Sequence, residues 1–479
     1  MNFRIIAYIV GWVCNFQAIF MVLPCITALV YQEHEFFAFL ISMILCLIVG
    51  IPLTARKPKN KVFYTKDGCV AVALSWLALC IFGSVPFVLS NSIPHPIDAF
   101  FETVSGFTTT GASILSDVEA LSHCMLIWRS FTHWIGGMGV LVFILCLLPL
   151  TGGYHMNLMK AESPGPSVSK LVPKVQSTAK ILYTIYIILT IVEIIFLLIG
   201  KMPLFDTLCL SFGTAGTGGF GIKNDSIASY STYNQVVITV FMILFGINFN
   251  AYYLLLTKKV MQAAKNEEVR YYLGIIGLAI VAIAINTREM FTSFGRAFQQ
   301  AAFQVGSIIT TTGYATTDFN VWPVFSKTIL VILMFVGACA GSTGGGIKVS
   351  RLLILCKSAR KELQLYLHPN AVKKIKMDDK AIPHEVVRAT NMFLFVYIMI
   401  FVISLLIISL DNLDMVSNFT AIAATLNNIG PGLGAVGPTG NFDTYSYISK
   451  GVMIFDMLAG RLEVFPLLLL FKRDTWRKF

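Results

Sequence analysis

Residues 303–315 run Phe303-Gln-Val-Gly-Ser-Ile-Ile-Thr-Thr-Thr-Gly-Tyr-Ala315, between two long apolar runs at about 273–289 and 324–340. The stretch starts apolar and ends in three threonines and a glycine, too polar to span a bilayer. That pattern predicts a half-helix that dips into a membrane and turns back. Non-helical backbone at membrane depth is tolerated only where it is buried in protein or lines water. A glycine there permits dihedrals that aim carbonyls inward, and carbonyl rings are one way a protein replaces an ion's hydration shell.

The stretch has relatives along the chain. Phe101-Glu-Thr-Val-Ser-Gly-Phe-Thr-Thr-Thr-Gly111-Ala112 repeats its phenylalanine-to-glycine spacing and its Thr-Thr-Thr-Gly end. A weaker copy is Leu208–Phe220, ending Thr217-Gly218-Gly219. A more divergent one is Phe419–Gly432, ending Asn427-Asn428-Ile429-Gly430-Pro431-Gly432. Taking Gly111, Gly218, Gly313 and Gly430 as the equivalent glycines gives a repeat of roughly a hundred residues, the pattern of an internally repeated membrane protein. Thr/Gly clusters also occur as plain loops between spans, but two near-identical copies in one register argue against that reading.

The 479 residues are 56% hydrophobic and 13% charged, where soluble domains carry about 25% charged residues. This is the composition of an integral membrane protein, and the 13% aromatic content suits interfacial belts. Ten cysteines, including Cys46, Cys80, Cys146 and Cys209, fall mostly inside apolar runs and suggest small buried hydrophobes. Without CxxC pairs or Cys/His ligand spacing, neither a transition-metal site nor a disulfide framework is expected. The apolar run after Arg4 is long for a signal peptide and predicts a retained helix.

Stretches long enough to span, about 20 residues each, fall near 5–30, 36–54, 69–90, 124–149, 180–200, 232–256, 271–290, 323–358 (interrupted), 391–410 and 446–471. The expected fold is therefore all-α: ten transmembrane helices plus four re-entrant pore helices. After a two-helix extension (1–60), the chain divides into helix–pore helix–helix units at 61–155, 156–260, 261–365 and 366–479. The segments 54–67, 151–180, 257–270, 347–388 and 471–479, with Arg4, hold 28 of the 36 Lys/Arg but 9 of the 25 Asp/Glu, a net of +19; the remainder is net −8. Positive residues gather on cytoplasmic loops, and ten spans put all these segments on one side, with both termini cytoplasmic. The basic balance is thus topological, spread over separate loops rather than gathered into a nucleic-acid surface.

The opposite side is acidic, with Glu33, Glu35, Asp98, Glu102, Asp117, Glu119, Asp206, Asp225, Asp318, Asp411 and Asp414. Carboxylates at a low-dielectric mouth concentrate cations. Asp98 and Asp206 precede re-entrant segments and are expected to cap their first turns. Each re-entrant helix points its negative C-terminal end at the membrane centre, favouring a cation there. Residues 337–348, Gly-Ala-Cys-Ala-Gly-Ser-Thr-Gly-Gly-Gly-Ile-Lys, carry too many glycines for a stable helix, at about 1 kcal/mol each relative to alanine. They predict a broken eighth span with a flexible linker below the filter, rather than a small-residue packing surface. A phosphate loop needs Gly-Lys adjacent, and Ile347 separates Gly346 from Lys348. Arg461 and Glu463 lie in the last span, where charges usually face a bundle interior or water path. The expectation is that Arg461 meets the glycine-rich linker and forms a barrier to cations. Arg129 is expected to be an interfacial anchor, Glu193 to pair within the bundle, and His133 to lie at the interface beside Trp134.

Together, Ser105-Gly-Phe-Thr-Thr-Thr-Gly111, Thr217-Gly-Gly-Phe220, Ile309-Thr-Thr-Thr-Gly-Tyr314, Leu426-Asn-Asn-Ile-Gly-Pro-Gly-Leu-Gly434, Ala340-Gly-Ser-Thr-Gly-Gly-Gly-Ile-Lys348 and Gly460-Arg-Leu-Glu463 resemble the Trk/Ktr/HKT superfamily of potassium transport proteins, nearest its bacterial Trk branch (TrkH and TrkG). The resemblance covers nearly the whole chain. It implies four pseudo-fourfold units like K⁺-channel pores around one filter, with K⁺ held at Thr110, Gly111, Thr217, Gly218, Thr312, Gly313, Ile429 and Gly430. It implies a gate made by Gly341, Ser342, Thr343, Gly344, Gly345, Gly346, Lys348 and Arg461. It further implies a bacterial inner-membrane location, a homodimer and a cytosolic TrkA-like regulatory subunit that carries the nucleotide. No covalent cofactor is expected; K⁺, and with it Rb⁺, is the transported ion.

Two other classes compete. A secondary transporter coupling K⁺ to Na⁺ or H⁺ would also use broken helices, but usually needs a titratable midplane site, and the filter segments hold no Asp, Glu or His. An intramembrane enzyme would need His123, His133 and His155 joined by a catalytic or metal spacing, which the sequence lacks.

Overall fold

The computed structural model describes residues 1–58, 63–139, 175–370 and 373–476. Apolar helices dominate it. Six are long and apolar enough to cross a membrane among the described residues, or seven if one sharply bent pair counts as a span. Phe36–Thr54 combines a mean hydropathy of 2.7 with only 28% of its window buried. Ile44, Ile48, Ile188, Leu278, Phe395 and Leu406 are exposed on such helices. A soluble fold would not leave that much contiguous apolar surface uncovered, so these faces are read as facing lipid.

The chain opens with α1 (Phe3–Phe20), α2 (Val22–Tyr31) and α3 (Phe36–Thr54). Helix α1 lies against α3, where Asn15 donates to the Thr54 hydroxyl at 3.1 Å, and against α4 (Thr65–Leu89), where the buried Gln17 amide donates to the Leu79 carbonyl at 2.8 Å. Buried polar groups need such partners in an apolar medium. Helix α5 (Pro96–Phe107) is the first short, buried helix, and α6 (His123–Met138) follows it. Glu33, in the turn between α2 and α3, accepts from the backbone N–H of His123 (2.7 Å) and Cys124 (2.9 Å), so it caps α6 from outside and fastens the N-terminal helices to the first unit. The expected continuation of the fourth span beyond 139, and the basic stretch to 174 with His155, lie outside the described residues.

Next come α7 (Val175–Ile199), the short α8 (Leu204–Gly216), then α9 (Thr232–Phe245) and α10 (Phe249–Leu256), which meet at a 90° bend over Gly246–Asn248. After the short α11 (Val260–Ala264) follow α12 (Glu267–Asn286), the short α13 (Phe294–Ile309), α14 (Val324–Phe335) and α15 (Val349–Leu367). The described chain continues with α16 (His384–Ile408), the short α17 (Met415–Leu426), α18 (Tyr447–Arg461) and α19 (Phe465–Phe471). A hairpin of two short strands, β1 (Lys376–Met377) and β2 (Lys380–Ala381), sits between α15 and α16.

The stretch expected as the eighth span is broken where the glycine run lies: α14 ends at Phe335 and α15 begins at Val349. No comparable glycine run marks the breaks at 246–248 and 462–464. At the latter, Glu463 and Val464 both take positive φ, 52° and 70°, an uncommon conformation for a β-branched residue. It sits immediately after Arg461.

Candidate functional site

The four short helices end in one and the same turn. A residue in the left-handed conformation follows each: Thr109 (φ 56°), Thr217 (φ 53°), Thr311 (φ 59°) and Asn428 (φ 56°). The next backbone N–H reaches back five residues in every case: Thr110 to Ser105 (2.9 Å), Gly218 to Gly213 (2.8 Å), Thr312 to Ser307 (2.8 Å) and Ile429 to Ala424 (2.9 Å). This is the Schellman end that closes a helix on a left-handed residue. A positive-φ glycine then follows: Gly111 (78°), Gly219 (80°), Gly313 (86°) and Gly430 (100°).

This register moves the second segment by one residue from the sequence expectation. Gly219, not Gly218, is the counterpart of Gly111 by dihedral angle, and Thr217 is the helix-ending residue equivalent to Thr109 rather than to Thr110. Two consecutive glycines left the choice open in the sequence; the turn geometry decides it. Gly219 also lines the cavity described next, and Gly218 does not.

The four segments form a closed cycle. A Cβ built on Gly111 would lie 2.1 Å from the Gly218 carbonyl oxygen, one on Gly219 1.8 Å from that of Thr312, one on Gly313 2.0 Å from that of Ile429, and one on Gly430 2.8 Å from that of Thr110. Each glycine thus packs its bare α-carbon on the carbonyl just before the next glycine in the cycle. Only glycine tolerates both the positive φ and the approach. All four glycines line one cavity of about 210 Å³, together with Ser113, Arg129, Asn224 and Phe442.

Behind the first two segments lie two buried groups placed otherwise than the sequence suggested. His133 is fully buried, not interfacial. Its Nδ1 lies 2.7 Å from the Gly106 carbonyl and its Nε2 3.2 Å from the Phe220 N–H. Those partners select the neutral tautomer with the proton on Nδ1. Arg129 is not an anchor at an interface: it is buried, bonded to Glu102 at 2.7 and 2.9 Å, to the Gly221 carbonyl at 3.3 Å, and stacked over Phe220 at 4.0 Å. Glu102 also accepts from the Ile114 N–H and the Ser113 hydroxyl, both at 3.0 Å. It is therefore a buried clamp, not a solvated mouth carboxylate. Glu193 is fully buried in α7, and among the described residues no ion pair reaches it.

Asp98 and Asp206 do not cap. Both sit in the first turn of their helices, whose N-cap positions are His95 and Pro203, and neither accepts a cap hydrogen bond. A proline stands at the start of each, Pro96 as the first helical residue and Pro203 at the N-cap, where it offers no N–H to a carboxylate. Asp98 instead accepts from the buried Lys450 amine at 2.7 Å, and Asp206 from the Tyr230 hydroxyl at 2.9 Å. Side-chain caps do occur on the other two short helices, from Ser293 and Asp414. Hydrogen bonds from Ser417 lower the Asp414 carboxyl below its ordinary value of 3.8.

On the opposite face of the cycle lies the glycine-rich run. Its neck is closed by Gly337 N–H donating to the Ile347 carbonyl (2.8 Å) and Val349 N–H to that of Ala338 (3.2 Å). Its tip touches the short-helix ends: the Gly345 N–H donates to the Thr311 hydroxyl at 2.6 Å, and a Cβ on Gly345 would lie 2.6 Å from the Asn427 carbonyl. Lys348 turns back to the Gly344 and Gly345 carbonyls. Arg461 joins the run to the rest. One guanidinium nitrogen bonds the Thr343 carbonyl (3.0 Å) and Thr109 hydroxyl (3.3 Å), the other the Gly137 (2.7 Å) and Gly136 carbonyls. Glu463, the other charge of that span, meets Arg351 at the start of α15. Gly341, Ser342, Gly344, Gly345, Gly346, Lys348 and Arg461 line a second cavity of about 100 Å³ with Trp76; Thr343 is buried beside them. The structure therefore gathers the expected gate residues at one end of the glycine cycle. Sequence reasoning missed Gly219, His133 and Glu268, whose bonds to the run are described below.

The family described as TrkH, a cation transport protein, matches residues 34–477. The chain is 36% identical over 486 residues to the Trk system potassium uptake protein TrkH of Salmonella typhimurium, covering 100% of both. It is 32% identical to TrkG, the Trk system potassium uptake protein of Escherichia coli strain K12, over 99% of both. The crystal structure of the potassium transporter TrkH from Vibrio parahaemolyticus superposes with a TM-score of 0.88 at 34% identity, over 100% of each chain.

Proposed function

This chain belongs to the TrkH family of cation transport proteins, which are transporters rather than enzymes, and we propose that it takes up K⁺, and Rb⁺ with it, through a central filter. The observation that carries the reading is the closed cycle of carbonyls at Thr110, Gly218, Thr312 and Ile429, each backed by a positive-φ glycine of the neighbouring segment. Carbonyl oxygens in such a ring replace the hydration shell of a cation. Four helix C-termini, each with about half a negative charge, end at the same place. In this reading the filter residues are Thr110, Gly111, Gly218, Gly219, Thr312, Gly313, Ile429 and Gly430.

The glycine-rich run with Arg461 acts as the gate on the inner side. A loop with its tip hydrogen-bonded to the filter's inner end, flanked by Arg461 and Lys348, presents both a steric and an electrostatic barrier. The ten-span topology in the bacterial inner membrane, the cytoplasmic termini, the homodimer and a cytosolic nucleotide-binding regulator belong to the same proposal. They are supported by the charge asymmetry and by family membership.

Growth on limiting K⁺ tests it, in cells lacking their own uptake systems, with Na⁺ varied. Rescue that is lost in Gly313→Ser, with tracer flux stopping at the limit set by membrane potential, is expected. Uptake and K⁺/Na⁺ discrimination unchanged in Gly313→Ser would remove the filter assignment. Accumulation beyond that limit, dependent on Na⁺ or a proton gradient, would favour coupled transport.

A further inference from the structure

The carboxylate of Glu268, 5% exposed on the first turn of α12, sits at the neck of the glycine-rich run. Its Oε1 accepts from the Ala340 N–H at 2.7 Å, on the way into the run, and from the Ser350 N–H at 3.1 Å, on the way out. Its Oε2 accepts from the Asn248 amide at 3.4 Å, at the bend between α9 and α10. One side chain thus holds both ends of the run and the broken helix against which it rests. Two of these bonds run from backbone N–H groups to a carboxylate, the stronger class of hydrogen bond. Both are lost if the run moves away from the filter, so they stabilise one position of the run over another, which is what a switch requires.

The adjacent residue faces the other way. The Glu267 N–H donates to Asp378 at 2.7 Å, and the Asn266 amide to the same carboxylate at 3.4 Å. Asp378 lies in the turn of the β1–β2 hairpin, and Lys357 of α15 bonds both Glu267 (2.5 Å) and the Lys376 carbonyl (2.8 Å). The first turn of α12 is therefore gripped by the exposed hairpin on one side and grips the glycine-rich run on the other.

We propose that Glu268 is the positioning residue that latches the glycine-rich run beneath the filter, and that the Asp378 turn of the hairpin seats this latch. The inference rests on the reading of that run as the gate. A displacement of the hairpin would then reach the run through two consecutive residues.

The test is basal K⁺ and Na⁺ flux in liposomes reconstituted with the full chain, alongside hydrogen exchange of residues 338–350. The variants are E268A, E268Q, D378A and a deletion of 341–346. Losing two charge-assisted bonds from the closed arrangement should raise basal K⁺ flux on the order of tenfold in E268A. E268Q, which keeps the shape with a neutral acceptor, should give a smaller rise, and D378A a smaller one again. The K⁺/Na⁺ flux ratio should match the parent throughout, and exchange at 338–350 should quicken while that at 303–315 does not. Where E268A does not fold, E268Q is judged by the same criteria. Raised flux in the deletion with E268A and E268Q at the parent level overturns the latch and leaves the gate standing. A rise accompanied by a changed flux ratio also overturns it, since it reports a disturbed filter. Unchanged flux in the deletion itself overturns the gate and the latch together.

Discussion

The His133 imidazole fills the space that a side chain on Gly218 would occupy: a Cβ there would lie 2.2 Å from the ring. This accounts for the departure of the second segment from Thr-Thr-Thr-Gly. Threonine stands at the same register in the first and third segments, as Thr110 and Thr312. In the second, a buried histidine takes the volume and bonds the flanking backbone at Gly106 and Phe220. Gly218→Ala should therefore destabilise the protein through a clash with His133. In a double-mutant cycle with His133→Ala, the two losses should fall short of additivity by more than about 0.5 kcal/mol. Thermal melts of the four proteins in detergent measure this, and strict additivity would show that the ring does not set the choice of glycine.

The glycine cycle is not uniform, and it ranks its own substitutions. Alanine at Gly111, Gly219 or Gly313 would bring Cβ within 1.8–2.1 Å of a neighbouring carbonyl oxygen, whereas at Gly430 the distance is 2.8 Å. All four positions carry positive φ, so each variant bears backbone strain of about 1 kcal/mol or more. Gly430→Ala should be the mildest, retaining measurable K⁺ uptake, while Gly219→Ala should be as damaging as Gly313→Ala. Rubidium uptake under limiting K⁺ reads the order. A harmless Gly219→Ala beside a damaging Gly218→Ala would restore the earlier register.

Much of this was legible in the sequence because membrane insertion leaves strong signals. Long apolar runs, lopsided basic loops and a glycine run inside a span each have a single dominant physical cause. The repeated Thr-Thr-Thr-Gly marked two of the four helix-ending turns whose positive-φ glycines meet in the cycle. What the sequence hid depends on contacts between distant units. Thr217-Gly218-Gly219 offers two glycines, and only the turn geometry, with His133 arriving from another helix, separates them. Arg129 has the residue type of an interfacial anchor, and its burial depends on Glu102, 27 positions earlier. Glu268 sits in a stretch whose charge pattern signals only a cytoplasmic loop; nothing local marks that it faces a loop 72 residues on.

The Glu102–Arg129 pair is buried on both sides, at 0% and 2% side-chain exposure. It joins α5, the loop at 113–114 and the chain after Gly219. Removing one member leaves an uncompensated buried charge, which costs about 3–5 kcal/mol. Arg129→Ala and Glu102→Ala should each cause a loss of that order in detergent stability. Arg129→Met with Glu102→Leu should lose less than either. A surface-like change below 1 kcal/mol for Arg129→Ala would contradict the burial of the pair.

Acidification has a defined sign. Glu33 feels burial, which raises its carboxyl, but hydrogen bonds from Cys124 and His123 win and hold it below its ordinary 4.5. Hydrogen bonds from Ser417 likewise hold Asp414 below its ordinary 3.8. Groups with lowered values contribute stability that is present above their unfolded values and lost as pH falls through the folded ones. The melting temperature should therefore hold steady down to about pH 5 and decline below about 4.5. Glu33→Gln should flatten the decline, and an identical slope in that variant would remove Glu33 from the set.

Arg461 bonds across the bundle rather than merely placing a charge there. Its two terminal nitrogens reach the Thr343 carbonyl of the glycine-rich run, the Thr109 hydroxyl two residues before Gly111, and the Gly136 and Gly137 carbonyls at the end of α6. A planar fork serves such spread acceptors; a lysine amine is a point charge on a flexible stem and cannot. If the bridging closes the pore, Arg461→Lys should raise basal K⁺ flux although the charge is kept, and Arg461→Ala should raise it further. If only the positive charge blocks cations, Arg461→Lys should stay at the parent level while Arg461→Gln opens. The geometry favours the first outcome, because the positive φ at Glu463 and Val464 ends the helix directly behind Arg461 and fixes where its fork can reach. Flux through the three variants in one liposome preparation separates the two, with the K⁺/Na⁺ ratio recorded to show that the filter itself is unchanged.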